Sequence, residues 1–140
     1  MKKLAALIVL TAASWLPLDA RAGSWGNYGL GWAGFAGVPT LTVAGSIDAC
    51  TASMAITNTS GGPTYAALLI GAMPQDTLLP SGATLLVVQQ GRVNFQLPAG
   101  GINLAFGCLP EGTVIFLQVM ERDPVAVGGV SWTPGLIIVQ

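Results

Sequence analysis

Few side chains in this chain could do chemistry, and most of those that could are carboxyl groups. Beyond residue 22 there is no lysine and no histidine, and the only cations are Arg92 and Arg122. Without an imidazole or an amine, Ser-His-Asp, Cys-His and Schiff-base mechanisms are excluded for that part of the chain. A zinc site would lack most of its usual ligands. We therefore predict no catalytic residue, no cofactor and a protein that is not an enzyme.

Glu121 and Asp123 are the one pair of carboxyl groups whose spacing suggests a joint role. Residues two apart point to the same face of a strand. Such a pair could bind calcium with the help of carbonyl oxygens, or act as acid and base in glycoside hydrolysis. The Asp-Pro step is typical of a strand end, where exposed charges discourage pairing between sheet edges. We predict no metal site and a solvated strand end, with calcium and then hydrolysis as the alternatives.

Cys50 and Cys108 are the only cysteines of the chain. An oxidising compartment favours a disulfide between them. In the chain-entropy model, closing so long a loop stabilises a fold by roughly 4 kcal/mol. The alternative is a reactive thiol or a metal site, but a metal site would need a histidine or a third cysteine. We predict a structural disulfide.

Two polar or aromatic positions near the C-terminus allow both a structural and a binding interpretation. Gln118 lies in a very apolar run, and a buried amide has to find hydrogen-bond partners. We predict that it bonds to loop backbone and locks the sandwich, with a contact in a binding cleft as the alternative. Trp132 could belong to a stacking platform, but aromatic residues usually fill a small core, and we favour core packing.

The first 22 residues have the pattern of a secretory signal peptide. Lys2 and Lys3 precede an apolar stretch over 4–18, and 20–22 form an A-x-A cleavage site. This pattern predicts a secreted protein, or one in the periplasm or at the cell surface. Residues 23–140 carry two arginines against five acids, a balance of −3. That balance excludes nucleic-acid binding, and no later apolar stretch is long enough to span a membrane.

Residues 23–37 alternate glycines with aromatic rings. The glycines argue against a helix and favour a flexible leader before a domain that covers 38–140. We favour packing of the rings on their own domain over an adhesive or assembly segment. Together with Trp132, these rings are the candidate interaction residues: Trp25, Tyr28, Trp32 and Phe35.

From residue 38 onward the sequence has the pattern of short strands. Apolar and polar residues alternate over 51–57 and 92–97, whereas 65–70, 114–119 and 136–139 are continuous apolar runs. Turn residues recur roughly every eight to fifteen positions, and Gln89-Gln90-Gly91 has the composition of a hairpin tip. We predict an all-β fold, a single β-sandwich of Ig-like or jelly-roll-like type, with about seven to nine short antiparallel strands.

Several short motifs are spread over most of residues 38–139. They are Gly37-Val38-Pro39-Thr40-Leu41, Leu69-Ile70-Gly71, Leu79-Pro80, Gly91 to Leu97-Pro98, the G-x5-Q-x4-D spacing of Gly112, Gln118 and Asp123, and the final strand 136–139. With these motifs the chain resembles small secreted bacterial β-sandwich domains of planctomycete and myxobacterial type. Members carry a Ser-Asn step where this chain has Thr133-Pro134-Gly135. The resemblance implies the fold and the compartment, and no activity.

The function that we predict is a structural or interaction role for an exported, non-enzymatic β-sandwich at the cell surface or in the extracellular matrix. Its partner would be another protein or a second copy of the chain. A carbohydrate-binding module that holds a polysaccharide with surface aromatic residues is the alternative. A carboxylate-based hydrolase is the third hypothesis.

Overall fold

A computed structural model describes residues 23–140, and the predicted signal peptide lies outside the described residues. Eleven strands and one 3-10 turn, Val127–Gly129, make up its regular structure. The strands are β1 Ser24–Tyr28, β2 Leu41–Ala44, β3 Ser53–Ile56, β4 Thr64–Gly71, β5 Pro74–Leu78, β6 Thr84–Val87, β7 Gly91–Leu97, β8 Ile102–Ala105, β9 Val114–Arg122, β10 Val130–Trp132 and β11 Gly135–Val139. Within this part of the chain, no helix is long and apolar enough to cross a membrane.

The strands form two antiparallel sheets and a separate hairpin. The larger sheet has the order β1-β11-β9-β4-β7, with β10 also paired to β9, and the smaller one has the order β2-β3-β8. The smaller sheet covers one face of the larger one, and the β5-β6 hairpin packs on the opposite face. The predicted all-β sandwich is confirmed, although with eleven strands instead of seven to nine. The additional strands include β1 and β10, whose glycine-rich surroundings hide their alternation.

The central strands β4, β9 and β11 are buried on both faces, which explains their continuous apolar runs. Leu68, Leu117 and Leu136 face the smaller sheet, whereas Phe116 and Ile137 face the opposite side. Burying an aliphatic or aromatic side chain of this size contributes about 1.5–3 kcal/mol. A strand in this position gains from apolar residues at every position, so its sequence loses the period of two.

The predicted disulfide is confirmed, with Cys50 and Cys108 joined and their Cα atoms 4.4 Å apart. Cys50 lies in the connection between β2 and β3, and Cys108 follows β8. The bond therefore joins the connection between β2 and β3 to the segment that follows β8.

The segment that we predicted as a flexible leader begins with a strand of the larger sheet. β1 pairs with β11 from Ser24 opposite Val139 to Tyr28 opposite Gly135. Gly135 makes room for the Tyr28 ring, because a Cβ atom there would lie 2.3 Å from Tyr28 Cζ. The expectation of flexibility is wrong for this strand, because backbone pairing with β11 fixes it.

The hairpin predicted at Gln89-Gln90-Gly91 is not formed. β6 pairs with β5, and β7 pairs with β4. Residues 88–90 therefore carry the chain from the hairpin layer back to the edge of the larger sheet. The turn residues were identified correctly, but local composition does not say which strands they connect.

Candidate functional site

Glu121 and Asp123, at the end of β9, are both fully buried. The prediction of a solvated strand end is therefore wrong. β9 is a central strand, and Glu121 lies between Ala66 of β4 and Ser131 of β10. The Asp-Pro step does mark the end of the strand, but another part of the chain covers that end.

The cover is the segment of residues 32–37, which we call the strap. The Phe35 N–H donates to Asp123 Oδ2 at 2.7 Å, and the Ala36 N–H donates to the Thr59 carbonyl at 2.9 Å. The strap passes so close that a Cβ atom on Gly34 would lie 2.1 Å from Asp123 Oδ2 and 3.1 Å from Ser131 Cβ. A larger residue at position 34 would therefore collide with the Asp123 carboxyl group unless one of the two moved.

The carboxyl group of Asp123 joins the strap to the turn that follows β9. Its Oδ2 accepts from Phe35, and its Oδ1 accepts from the Val125 N–H at 3.0 Å. A second link runs from the Trp32 indole N–H to the Val127 carbonyl at 3.2 Å. Two segments far apart in sequence are therefore fastened side by side.

Glu121 fastens a third segment, the loop that contains Thr59. Its Oε2 accepts from the Thr59 N–H at 3.1 Å and from the Thr59 hydroxyl at 3.4 Å. Its Oε1 and the hydroxyl of Ser131 are buried without a hydrogen-bond partner. Such unpaired buried groups are unfavourable for an ionised carboxylate.

Burial raises the pKa of Glu121 from its ordinary value of 4.5 to about 7. The hydrogen bonds from Thr59 lower this pKa in part, and the nearby Asp123 raises it further. Arg122, the next residue along β9, is exposed and offers no compensating charge to the pair. A substantial fraction of the molecules therefore keep a proton on Glu121 near neutral pH.

This arrangement fits a fastening role for the two acids. A calcium ion takes six to eight oxygen ligands, and both oxygens of Asp123 already accept backbone N–H groups. Among residues 23–140 there is no cluster of three or more histidine, cysteine or acidic side chains that could hold a metal ion. Calcium binding by Glu121 and Asp123 gains no support from this geometry.

Four of the five candidate interaction rings pack against the core: Trp132 is buried, and Trp25, Tyr28 and Trp32 are partly buried. Trp25 packs against the core between the two sheets, and Trp132 is only 6% exposed. Tyr28 makes an edge-to-face contact with Phe116 and donates its hydroxyl hydrogen to the Leu86 carbonyl at 2.7 Å. The prediction that Trp132 belongs to the core is confirmed.

Phe35 is the one candidate ring that lies mostly in solvent, with 64% of its surface exposed. Val125 and Val127 are exposed to 68% and 65%. Asp123 accepts from the backbone N–H groups of both Phe35 and Val125, so one carboxyl group holds the two segments that carry these side chains. We call Phe35, Val125 and Val127 the apolar rim. Sequence reasoning missed the two valines, because apolar residues in a short turn have no period to identify them.

Gln118 lies on the face of β9 opposite to Glu121, and it is fully buried. Its Oε1 accepts from the Leu86 N–H at 2.9 Å, and its Nε2 donates to the carbonyls of Thr84 and Thr133 at 3.1 and 3.0 Å. The amide therefore has the structural role that we predicted, but two of its three backbone partners lie in strand β6, and only Thr133 lies in a loop.

No known family matches this chain. Comparison with protein-family models finds no match, and neither curated proteins nor solved structures match it. The resemblance to secreted bacterial domains therefore stays a prediction.

Replacing Gly34 with alanine is expected to lower the free energy of unfolding by about 1–2 kcal/mol, because the new methyl group overpacks the contact with Asp123. Gly62, in the neighbouring loop, is a matched control, since a Cβ atom there meets nothing within 4 Å. Urea unfolding of Gly34→Ala and Gly62→Ala measures both effects. Equal stability of the two variants would contradict the close approach of the strap.

Proposed function

We propose that this protein is an exported, non-enzymatic β-sandwich that binds a protein partner at the cell surface or in the extracellular matrix through the apolar rim. The observation that carries the proposal is the position of the rim. Phe35, Val125 and Val127 project into solvent from backbone that the buried Asp123 and the Trp32 indole hold in place.

Rigid backbone favours binding by such a surface. Contact with a partner removes apolar side chains from water, which contributes about 25 cal/mol for each square ångström buried. Ordering a mobile segment would oppose this gain. Since hydrogen bonds already fix the backbone of the rim, little backbone entropy remains to be lost. The partner that suits the rim presents a small apolar surface of its own.

The chemistry of the remaining side chains supports a binding role over an enzymatic one. The acids Glu121 and Asp123 lie together at the end of β9, both are fully buried, and the strap covers Asp123. A glycoside hydrolase needs its carboxyl groups in contact with substrate. Export is supported by the sequence of the first 22 residues and by the disulfide, which oxidising compartments favour.

The carbohydrate-binding alternative has less support. A stacking platform for sugar rings needs exposed aromatic faces. Trp132 is almost completely buried, Trp25 packs on the core, and the Trp32 indole bonds to the Val127 carbonyl. Among the candidate rings only Phe35 is mostly exposed, and Tyr65, which is 60% exposed, lies on a different element, β4.

The triple variant Phe35→Ser, Val125→Ser and Val127→Ser tests the proposal. We expect saturable binding of the purified wild-type protein to envelope fractions of the producing cells, and at least about tenfold weaker binding by the triple variant. Leu78→Ser is the matched control, because Leu78 is 73% exposed on β5, outside the rim. Circular dichroism checks that each variant is folded. Equal binding by the triple variant and the wild type would refute the role of the rim, as would no binding by either.

A further inference from the structure

The edge of the larger sheet at β7 is open. β7 is the last strand of the sheet and pairs only with β4, over seven consecutive residues from Ile70 opposite Gly91 to Thr64 opposite Leu97. In the part of the chain that the structure describes, no strand lies on its other side. Its outward backbone N–H and C=O groups are therefore available to another strand.

This edge differs from the other strand edges of the protein. β2 and β8, at the edges of the smaller sheet, have four residues each. β5 contains a proline and a register shift in its pairing with β6, and both features disfavour the addition of a strand. β1 has five residues, and the Asn27 side chain donates to the Leu41 carbonyl beside it. β7 is longer, contains no lysine or proline, and pairs with β4 in an unbroken register.

The side chains of β7 divide into an apolar and a polar face. Val93 and Phe95 alternate with Arg92, Asn94 and Gln96. Phe95 packs against the core between the sheets, but Val93 is 48% exposed. The smaller sheet therefore leaves part of the apolar face of β7 uncovered at this edge.

We propose that β7 is a self-association edge, on which β7 of a second copy adds as an antiparallel strand about a two-fold axis at Asn94. The pairing places Arg92 opposite Gln96 of the partner subunit and Val93 opposite Phe95 of the partner subunit. Asn94 meets its own copy. Both faces of the new strand pair are then matched, apolar with apolar and polar with polar.

The charges and the length of β7 select this register. Centring the axis on Arg92 would place two guanidinium groups opposite each other, and like charges in that position are destabilising. Parallel pairing would also bring the two arginines side by side. Asn94 is the middle residue of Gly91–Leu97, so an axis there pairs all seven residues. A two-fold interface uses this edge of both copies, and a closed dimer forms instead of a fibre.

Introducing like charges at the two-fold axis tests the proposal. In the Asn94→Lys variant two lysines meet at the axis, and in Asn94→Asp two carboxylates meet. We expect each variant alone to dimerise at least about tenfold more weakly than the wild type, and an equimolar mixture to form the dimer again. Sedimentation velocity at low salt measures the dimerisation constants.

Asn103→Lys and Asn103→Asp are the matched controls, because Asn103 is an exposed asparagine on the edge strand β8. Both are expected to dimerise like the wild type. The triple variant of the apolar rim should dimerise normally too, so failure of the rim hypothesis and failure of this one can be told apart. A wild-type protein that stays monomeric up to about 1 mM would overturn the inference. Lys and Asp variants that dimerise unchanged, or a mixture that stays monomeric, would overturn it as well.

Discussion

Replacing Asp123 with alanine is expected to lower the free energy of unfolding by about 3 kcal/mol. The change removes the acceptor of both the Phe35 and the Val125 N–H groups and leaves a cavity beneath the strap. Partial entry of water limits the loss, because the strap and the turn can then move apart. Urea denaturation measures the effect, and Asp76→Ala, at an exposed acid on β5, is the control.

The asparagine variant separates hydrogen bonding from packing at the same position. Asp123→Asn keeps the shape of the side chain and one acceptor oxygen. Its free energy of unfolding should therefore lie between that of the wild type and that of the alanine variant. If Asp123→Ala unfolds at the same urea concentration as Asp76→Ala, the fastening role of this carboxyl group is wrong.

Glu121 is expected to make the protein less stable as the pH rises from about 4.5 to about 7. The pKa of Glu121 is raised by burial to about 7 in the folded protein and returns to its ordinary value of 4.5 on unfolding. Between these values the folded state binds more protons than the unfolded state, so the free energy of unfolding falls with pH. The decline should be about 2 kcal/mol after allowance for solvent screening, and it should level off above about pH 8.

The Glu121→Gln variant isolates this contribution from those of the other acids. Glutamine keeps an acceptor for the Thr59 N–H and replaces the unpaired Oε1 with a donor beside Ser131, without a charge. Its stability should equal that of the wild type near pH 4.5 and exceed it at pH 8. Thermal unfolding of the two proteins from pH 4 to 8 provides the comparison. Parallel stability curves would show that Glu121 titrates normally.

The strands and the sandwich could be predicted because alternation and burial leave a direct trace in the sequence. The continuous apolar runs correspond to β4, β9 and β11, which other layers cover on both faces. The disulfide was predictable from composition, since Cys50 and Cys108 had no other partner. The role of Gln118 followed from the cost of an unpaired amide among apolar neighbours.

The candidate site could not be predicted, because its burial depends on contacts between distant segments. Nothing near Glu121 and Asp123 in sequence indicates that residues 32–37 close over them. The glycines of the strap suggested flexibility, whereas Gly34 is required for the close approach to Asp123. The same limit applies to β7, whose position at the edge of the sheet depends on the pairing of β6 with β5.

The position of Asp123 couples the stability of the protein to the shape of its exposed surface. Asp123 accepts from the backbones of Phe35 and Val125, two residues of the apolar rim, whereas Glu121 accepts from Thr59 in the neighbouring loop. A substitution beneath the surface can therefore alter binding without changing any residue that contacts the partner. Asp123→Ala and the triple rim variant should both weaken binding to envelope fractions, but only Asp123→Ala should also lower stability substantially.

Amide hydrogen exchange at Phe35 and Val125 tests the central claim most directly, namely that Asp123 fixes the backbone of the apolar rim. Although their side chains are exposed, we predict that both amides exchange at least about 100-fold more slowly than in an unfolded chain. In Asp123→Ala this protection should be lost, while the Trp32 amide, which donates to the Trp132 carbonyl at 2.8 Å, should remain protected. Unprotected Phe35 and Val125 amides in the wild-type protein would contradict the account.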